Sequence, residues 1–63
     1  MPSFGRIIHK PEIMGGKPCI NGTRVTVAVI VGRIGAGSTM EEVLRDYPYI
    51  EREDVLQALR YAA

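Results

Sequence analysis

Thr26-Val27-Ala28-Val29-Ile30-Val31-Gly32-Arg33-Ile34-Gly35 is the stretch on which the fold turns. Its valines and isoleucines would suit a strand, because β-branched side chains are stiff at χ1 and pack well on a pleated surface. Their spacing argues for a helix. Val27, Ile30, Val31 and Ile34 recur at i, i+3, i+4 and i+7, and Thr26 stands where an N-cap hydroxyl is wanted. Periodicity decides, so a helix is expected from Val27, ended by Gly35 and Gly37.

Downstream, Thr39 to Glu42 spells Thr-x-x-Glu, the capping box in which each side chain satisfies an orphan backbone donor of the other residue. Met40, Val43, Leu44 and Tyr47 repeat the helical stripe, and Pro48 stops it. A third helix is expected from about Arg52 to the C-terminus, with Val55, Leu56, Leu59 and Ala62 as its buried face. The turn Gly35-Ala36-Gly37-Ser38 is short and carries glycine, which suits two helices crossing steeply, as in a helix-turn-helix. Residues 26–63 therefore read as a trihelical, homeodomain-like core. A generic three-helix bundle shares the same pattern.

Upstream, Ile7 and Ile8 open a short extended segment that Pro11 closes. Gly15, Gly16 and Pro18 mark irregular backbone. Asn21-Gly22 is a strong hairpin signal, since both residues accept the positive φ of a type I′ turn. Cys19–Ile20 and Thr23–Val25 are the expected arms, so residues 1–25 hold the strands and the hairpin. The fold class is mainly α: a three-helix helix-turn-helix core with a short N-terminal β-hairpin, in one domain over residues 1–63.

A 63-residue chain buries only about 60% of its unfolded surface. One cysteine, Cys19, and one histidine, His9, permit neither a disulfide nor a four-ligand zinc site within the chain. No metal or cofactor is expected. Oligomerisation is the remaining common remedy for a thin core, so a homodimer or a partner-stabilised domain is anticipated. Met1 to Arg6 lacks the apolar stretch of a leader, and the longest apolar run, Val25 to Val31, is interrupted by Thr26. It falls far short of the roughly 20 residues of a membrane span. A cytoplasmic location is expected, and a lone thiol suits a reducing compartment.

Catalytic chemistry is thin. His9 and Cys19 could form a nucleophile pair, but no third group is evident to orient the histidine. Gly15-Gly16-Lys17 fails as a phosphate loop, because Pro11 takes the place of its first glycine and Pro18 that of its Ser or Thr. Glu41 and Glu42, like Glu51, Glu53 and Asp54, fit the first turns of helices, where the macrodipole favours carboxylates. The chain is not expected to be an enzyme.

Charge is more informative. The net charge of +1 divides into +4 over residues 1–37 (Arg6, Lys10, Lys17, Arg24 and Arg33 against Glu12) and −3 over residues 38–63. That split favours an acidic partner for the front half, or front-to-back pairing between subunits; ordinary solvated faces would look the same. In a helix-turn-helix, the recognition helix offers its first residues to the major groove. Here these are Glu51-Arg52-Glu53-Asp54, which phosphates would repel. If DNA is bound, a hairpin carrying Lys17 and Arg24 could act as a two-stranded ribbon.

Pro11-Glu12-Ile13-Met14-Gly15-Gly16-Lys17-Pro18-Cys19-Ile20-Asn21-Gly22-Thr23-Arg24-Val25-Thr26-Val27 resembles the domain of unknown function 433 family. The match runs on through Met40 to Pro48 and Glu53 to Val55, and reaches Ala58-Leu59-Arg60-Tyr61-Ala62-Ala63. The resemblance implies a homeodomain-like domain with N-terminal strands. It further implies an antitoxin similar to the VapB type, which neutralises a PIN-like ribonuclease toxin and represses its own operon. The alternative is a DNA-binding helix-turn-helix regulator. Two departures stand out: many relatives carry a basic residue at the place of Asn21, and relatives often run on past Tyr61-Ala62-Ala63. If toxin binding uses that extension, this chain would lack it.

Lys17, Asn21, Arg24 and Arg33 are the candidate partner- or DNA-contacting residues. Arg24 has a second reading, a structural role bonding carbonyls where hairpin meets helix. Lys17 could equally be an ordinary solvated lysine.

Overall fold

The Thr26 backbone is extended, and its hydroxyl accepts the Val29 N–H at 3.1 Å. That cap starts α1 (Val27–Gly35) where the periodicity places it. The computed structural model describes residues 5–63. Residues 1–4 lie outside it, and with them most of the Met1–Arg6 stretch read as lacking a leader.

The second helix, α2 (Met40–Asp46), opens on the expected capping box. Thr39 Oγ1 accepts the Glu42 N–H at 3.1 Å, and a Glu42 carboxylate oxygen accepts the Thr39 N–H at 2.8 Å. The Tyr47 N–H closes on the Val43 carbonyl, and Pro48 ends the segment. The third helix, α3 (Arg52–Ala62), begins at Glu51, whose N–H donates to the Asp54 carboxylate at 2.7 Å.

Before the helices, β1 (Ile7–Ile8) pairs antiparallel with β2 (Cys19–Ile20), Ile7 opposite Ile20 and Ile8 opposite Cys19. The architecture is therefore mainly helical, three helices with a two-stranded antiparallel sheet.

The hairpin differs from expectation. Cys19–Ile20 is a strand, but its partner is β1, and Thr23–Val25 forms no strand. The chain does reverse at Asn21-Gly22, with the Thr23 N–H on the Ile20 carbonyl at 3.0 Å. Gly22 has φ +80°, and Asn21 is not among the positive-φ residues. One positive φ, at the third turn residue, is the type II pattern; types I and II splay the flanking strands where type I′ would align them. After the turn only the Ile20 N–H to Val25 carbonyl bond and a Cys19–Thr26 bridge survive.

Ile7, Ile20, Val25, Val27, Ile30, Val43, Ile50, Val55 and Ala58 form one core cluster. Val31, Ile34, Met40, Leu44, Tyr47 and Leu59 pack against it, half-buried. The stripes expected on α1 and α2 thus face inward. That on α3 is met in part, since Val55 is buried and Leu59 packs against the core. Asp54, Val55 and Ala58 are buried, whereas Leu56 lies outside the cluster and Ala62 is exposed. The inward face keeps 55 and 59 and takes Asp54 and Ala58 in place of 56 and 62. Asp54 is held on that face by Arg6 on the strand side: Arg6 Nη1 lies 3.0 Å from Asp54 Oδ1 and 2.9 Å from Glu51 Oε1.

Among the described residues no helix is long and apolar enough to cross a membrane.

Candidate interaction surface

Ten residues join the two strands, from His9 to Pro18, and local backbone chemistry sets their shape. The Ile13 N–H closes on the Lys10 carbonyl at 2.9 Å, the Gly16 N–H on Ile13 at 3.0 Å and the Lys17 N–H on Met14 at 3.3 Å. Met14, Gly15 and Gly16 take φ of +50°, +66° and +84° in succession. A Cβ on Gly16 would sit 3.8 Å from the Pro11 Cα, so the loop doubles back on itself. Pro18 then anchors it, its carbonyl accepting the Val27 N–H of α1 at 2.9 Å. The side of the fold carrying this loop and the Asn21-Gly22 turn is held to α1 and to the sheet. No pocket opens among the described residues, so the site is a surface.

The charges divide into those the fold consumes and those it does not. Arg6 bridges β1 to the start of α3 through Glu51 and Asp54, and its backbone N–H reaches Gln57 Oε1 at 3.2 Å. Those carboxylates, Asp54 first, raise the Arg6 pKa above its ordinary value. Arg33 Nη2 lies 2.6 Å from Asp46 Oδ2, and Arg33 Nε donates to Ser38 Oγ at 3.2 Å, tying α1 to both ends of α2. The hydrogen bond to Asp46 is the largest cause of its raised pKa. Arg45 faces Glu42 at 3.9 Å, and Arg60 holds Glu53 at 3.2 Å. Four cations remain. The exposed side chains of Lys10, Lys17, Arg24 and Arg52 take no hydrogen bond or ion pair from any described residue.

Of the four candidates, Lys17 and Arg24 thus stand free on the strand side. Arg24 bonds no carbonyl. Asn21 is exposed at the turn, its N–H bound to the Arg6 carbonyl at 2.8 Å. Arg33 sits apart from these three, turned toward α2. Sequence reasoning missed Lys10, which has the same loop and the same freedom as Lys17. It also missed Met14, whose side chain is 45% exposed on a left-handed backbone. The Gly15-Gly16 pair signalled irregular backbone but not that it would begin one residue earlier.

The carboxylates of α3 also look different in place. Asp54 is buried and Glu51 joins it on Arg6, while Glu53 meets Arg60. The charge without a partner on the first turn of α3 is Arg52. At the sheet edge, Tyr61 Oη lies 2.7 Å from His9 Nε2, which fastens the end of α3 beside β1.

Residues 7–62 match the family described as "Protein of unknown function (DUF433)". The "Uncharacterized protein y4eO" of Sinorhizobium fredii (strain NBRC 101917 / NGR234) is 34% identical over 56 residues, 89% of this chain and 25% of that protein. The crystal structure of a DUF433 member protein from Anabaena variabilis ATCC 29413 superposes with a TM-score of 0.85 at 32% identity, over 89% of this chain and 55% of that one. The chain thus spans about a quarter of one relative and just over half of the other.

Proposed function

The chain belongs to the DUF433 family, and from that premise we propose that it is a non-enzymatic, antitoxin-like binding protein that neutralises a PIN-like ribonuclease in the cytoplasm. One observation carries the reading. After the fold has paired Arg6, Arg33, Arg45 and Arg60, three of the four cations without a described partner, Lys10, Lys17 and Arg24, lie before α1. PIN-like nucleases hold metal with clustered carboxylates, so free cations on a braced loop and turn are their natural complement. A homodimer of homeodomain-like protomers belongs to the same proposal, since a core this thin gains from association.

A second reading, a DNA-binding regulator of its own operon, has an observation of its own in favour. Arg6, shared between Glu51 and Asp54, and Arg60 on Glu53 engage the carboxylates at the start of α3 and leave Arg52 without a described partner there, at the end a recognition helix presents to DNA. The deciding experiment is co-expression with a PIN-like reading frame adjacent to this gene, followed by co-purification and a growth-rescue test. Rescue with a stable complex supports the antitoxin. Steeply salt-dependent binding to duplex DNA, without rescue, supports the regulator.

A further inference from the structure

Only glycine adopts left-handed backbone without a steric penalty, because a Cβ crowds the neighbouring carbonyl there. Positions 14, 15 and 16 are all left-handed, at φ +50°, +66° and +84°. Two of them are glycine and the first is methionine. The turn is over-determined by the bonds from Ile13, Gly16 and Lys17 and by the approach of Pro11 to Gly16, so the surrounding loop imposes this conformation on Met14. Nor does the core compensate. The Met14 side chain is 45% exposed and stands outside the hydrophobic cluster. A strained position therefore carries a large apolar side chain that the fold does not bury, and such outliers collect where a ligand is met.

We infer that Met14 is the apolar anchor through which the loop engages a protein partner, seated in an apolar pocket rimmed by carboxylates. The inference rests on the binding function proposed above and names the residue that would dominate it. Lys10 and Lys17 flank the anchor on the two limbs that Pro11 and Gly16 bring together, and neither has a partner among the described residues. An apolar centre with a charged margin is the anatomy of an interface hot spot, and methionine adapts its flexible thioether to irregular pockets. Glu12 argues against a phosphate backbone as the occupant. It is an exposed carboxylate with no partner among the described residues, two residues from the anchor, which a protein surface of mixed charge tolerates and a duplex repels.

The test uses the full chain and a co-expressed PIN-like ribonuclease as the probe, with Met14→Ala, Met14→Gly and Met14→Leu beside the wild type. Melting temperature is measured first. Met14→Gly relieves the left-handed strain, so it should melt no lower than the wild type; a clear drop would mean that Met14 supports the fold, and would overturn the inference. Nuclease binding should then weaken by about tenfold or more in the Ala and Gly variants and survive in the Leu variant. Undiminished binding by the Ala and Gly variants overturns the anchor and leaves the antitoxin reading standing. Failure of the wild type to bind the nuclease overturns both. Loss of duplex binding in the Ala variant, with nuclease binding intact, would make Met14 a wedge between base steps and the partner DNA.

Discussion

Residues 9–24 and residues 38–63 use the same kinds of side chain to opposite ends. Over residues 38–63 the carboxylates of Glu42, Asp46, Glu51, Glu53 and Asp54 all meet an arginine, and two of them also cap a helix. Over residues 9–24, Lys10, Lys17 and Arg24 meet no described partner, although local hydrogen bonds fix the backbone that carries them. One region directs its polar chemistry inward to hold the helices; the other holds its backbone rigid and leaves its charges outside. Net charge hides this. The front half is cationic in a useful sense because its cations are free, and α3 is less acidic toward a partner than its composition suggests.

The contrast breaks first at the core. Ile30 is fully buried under α1, and Ile30→Ala should cost about 2–5 kcal/mol, a large share of what holds so small a domain together. Leu44→Ala and Leu59→Ala, at half-buried sites, should cost less in the same urea titrations. Equal losses at all three would mean that the faces are wrongly assigned.

Asp54→Ala comes next. It strands the Glu51 N–H and removes the Asp54 half of the Arg6 clamp, for an expected loss of about 1–3 kcal/mol. Lys17→Ala and Arg24→Ala should leave the melting temperature where it is, and Arg33→Ala should lower it. A drop for Arg24→Ala as large as that for Arg33→Ala would erase the distinction between the two regions.

The smallest effect is a pH dependence. The Thr39 N–H, and then its hydroxyl, hold the Glu42 carboxyl below its ordinary value of 4.5. Its stabilisation is therefore fully present above that value and is lost as pH falls through the lower folded one. Glu42→Gln keeps an acceptor for the cap but cannot titrate, so its melting temperature should fall less steeply in acid than that of the wild type.

What was legible in the sequence follows from range. The Thr26 cap, the Thr39–Glu42 box and the stripes of α1 and α2 each rest on groups within a few residues, and local spacing declared them. The pairing of Ile7 with Ile20 spans the whole loop, and the Asn21-Gly22 signal pointed instead to the nearer partner, Thr23–Val25. On α3 the stripe was legible at Val55 and Leu59, but the burial of Asp54 goes with an ion pair between residues 6 and 54, which no periodicity encodes. At the candidate surface the sequence singled out Lys17 and Arg24 but grouped Arg33 with them, because Asp46 is its partner only in three dimensions. Met14 went unnoticed because its backbone, not its type, makes it unusual.

We propose that the cations before α1 that lack a described partner form the partner-binding face. The most direct test is the affinity of the purified chain for its co-expressed nuclease, measured at 0.1 M and 1 M salt. Lys17→Glu with Arg24→Glu is compared with Arg52→Glu, each variant first shown to melt like the wild type. The first pair should lose much of its affinity, a loss that shrinks at high salt as the screening length falls from about 10 Å to 3 Å, and Arg52→Glu should change little. A greater loss on reversing Arg52 would contradict the proposal and make the start of α3 the working surface.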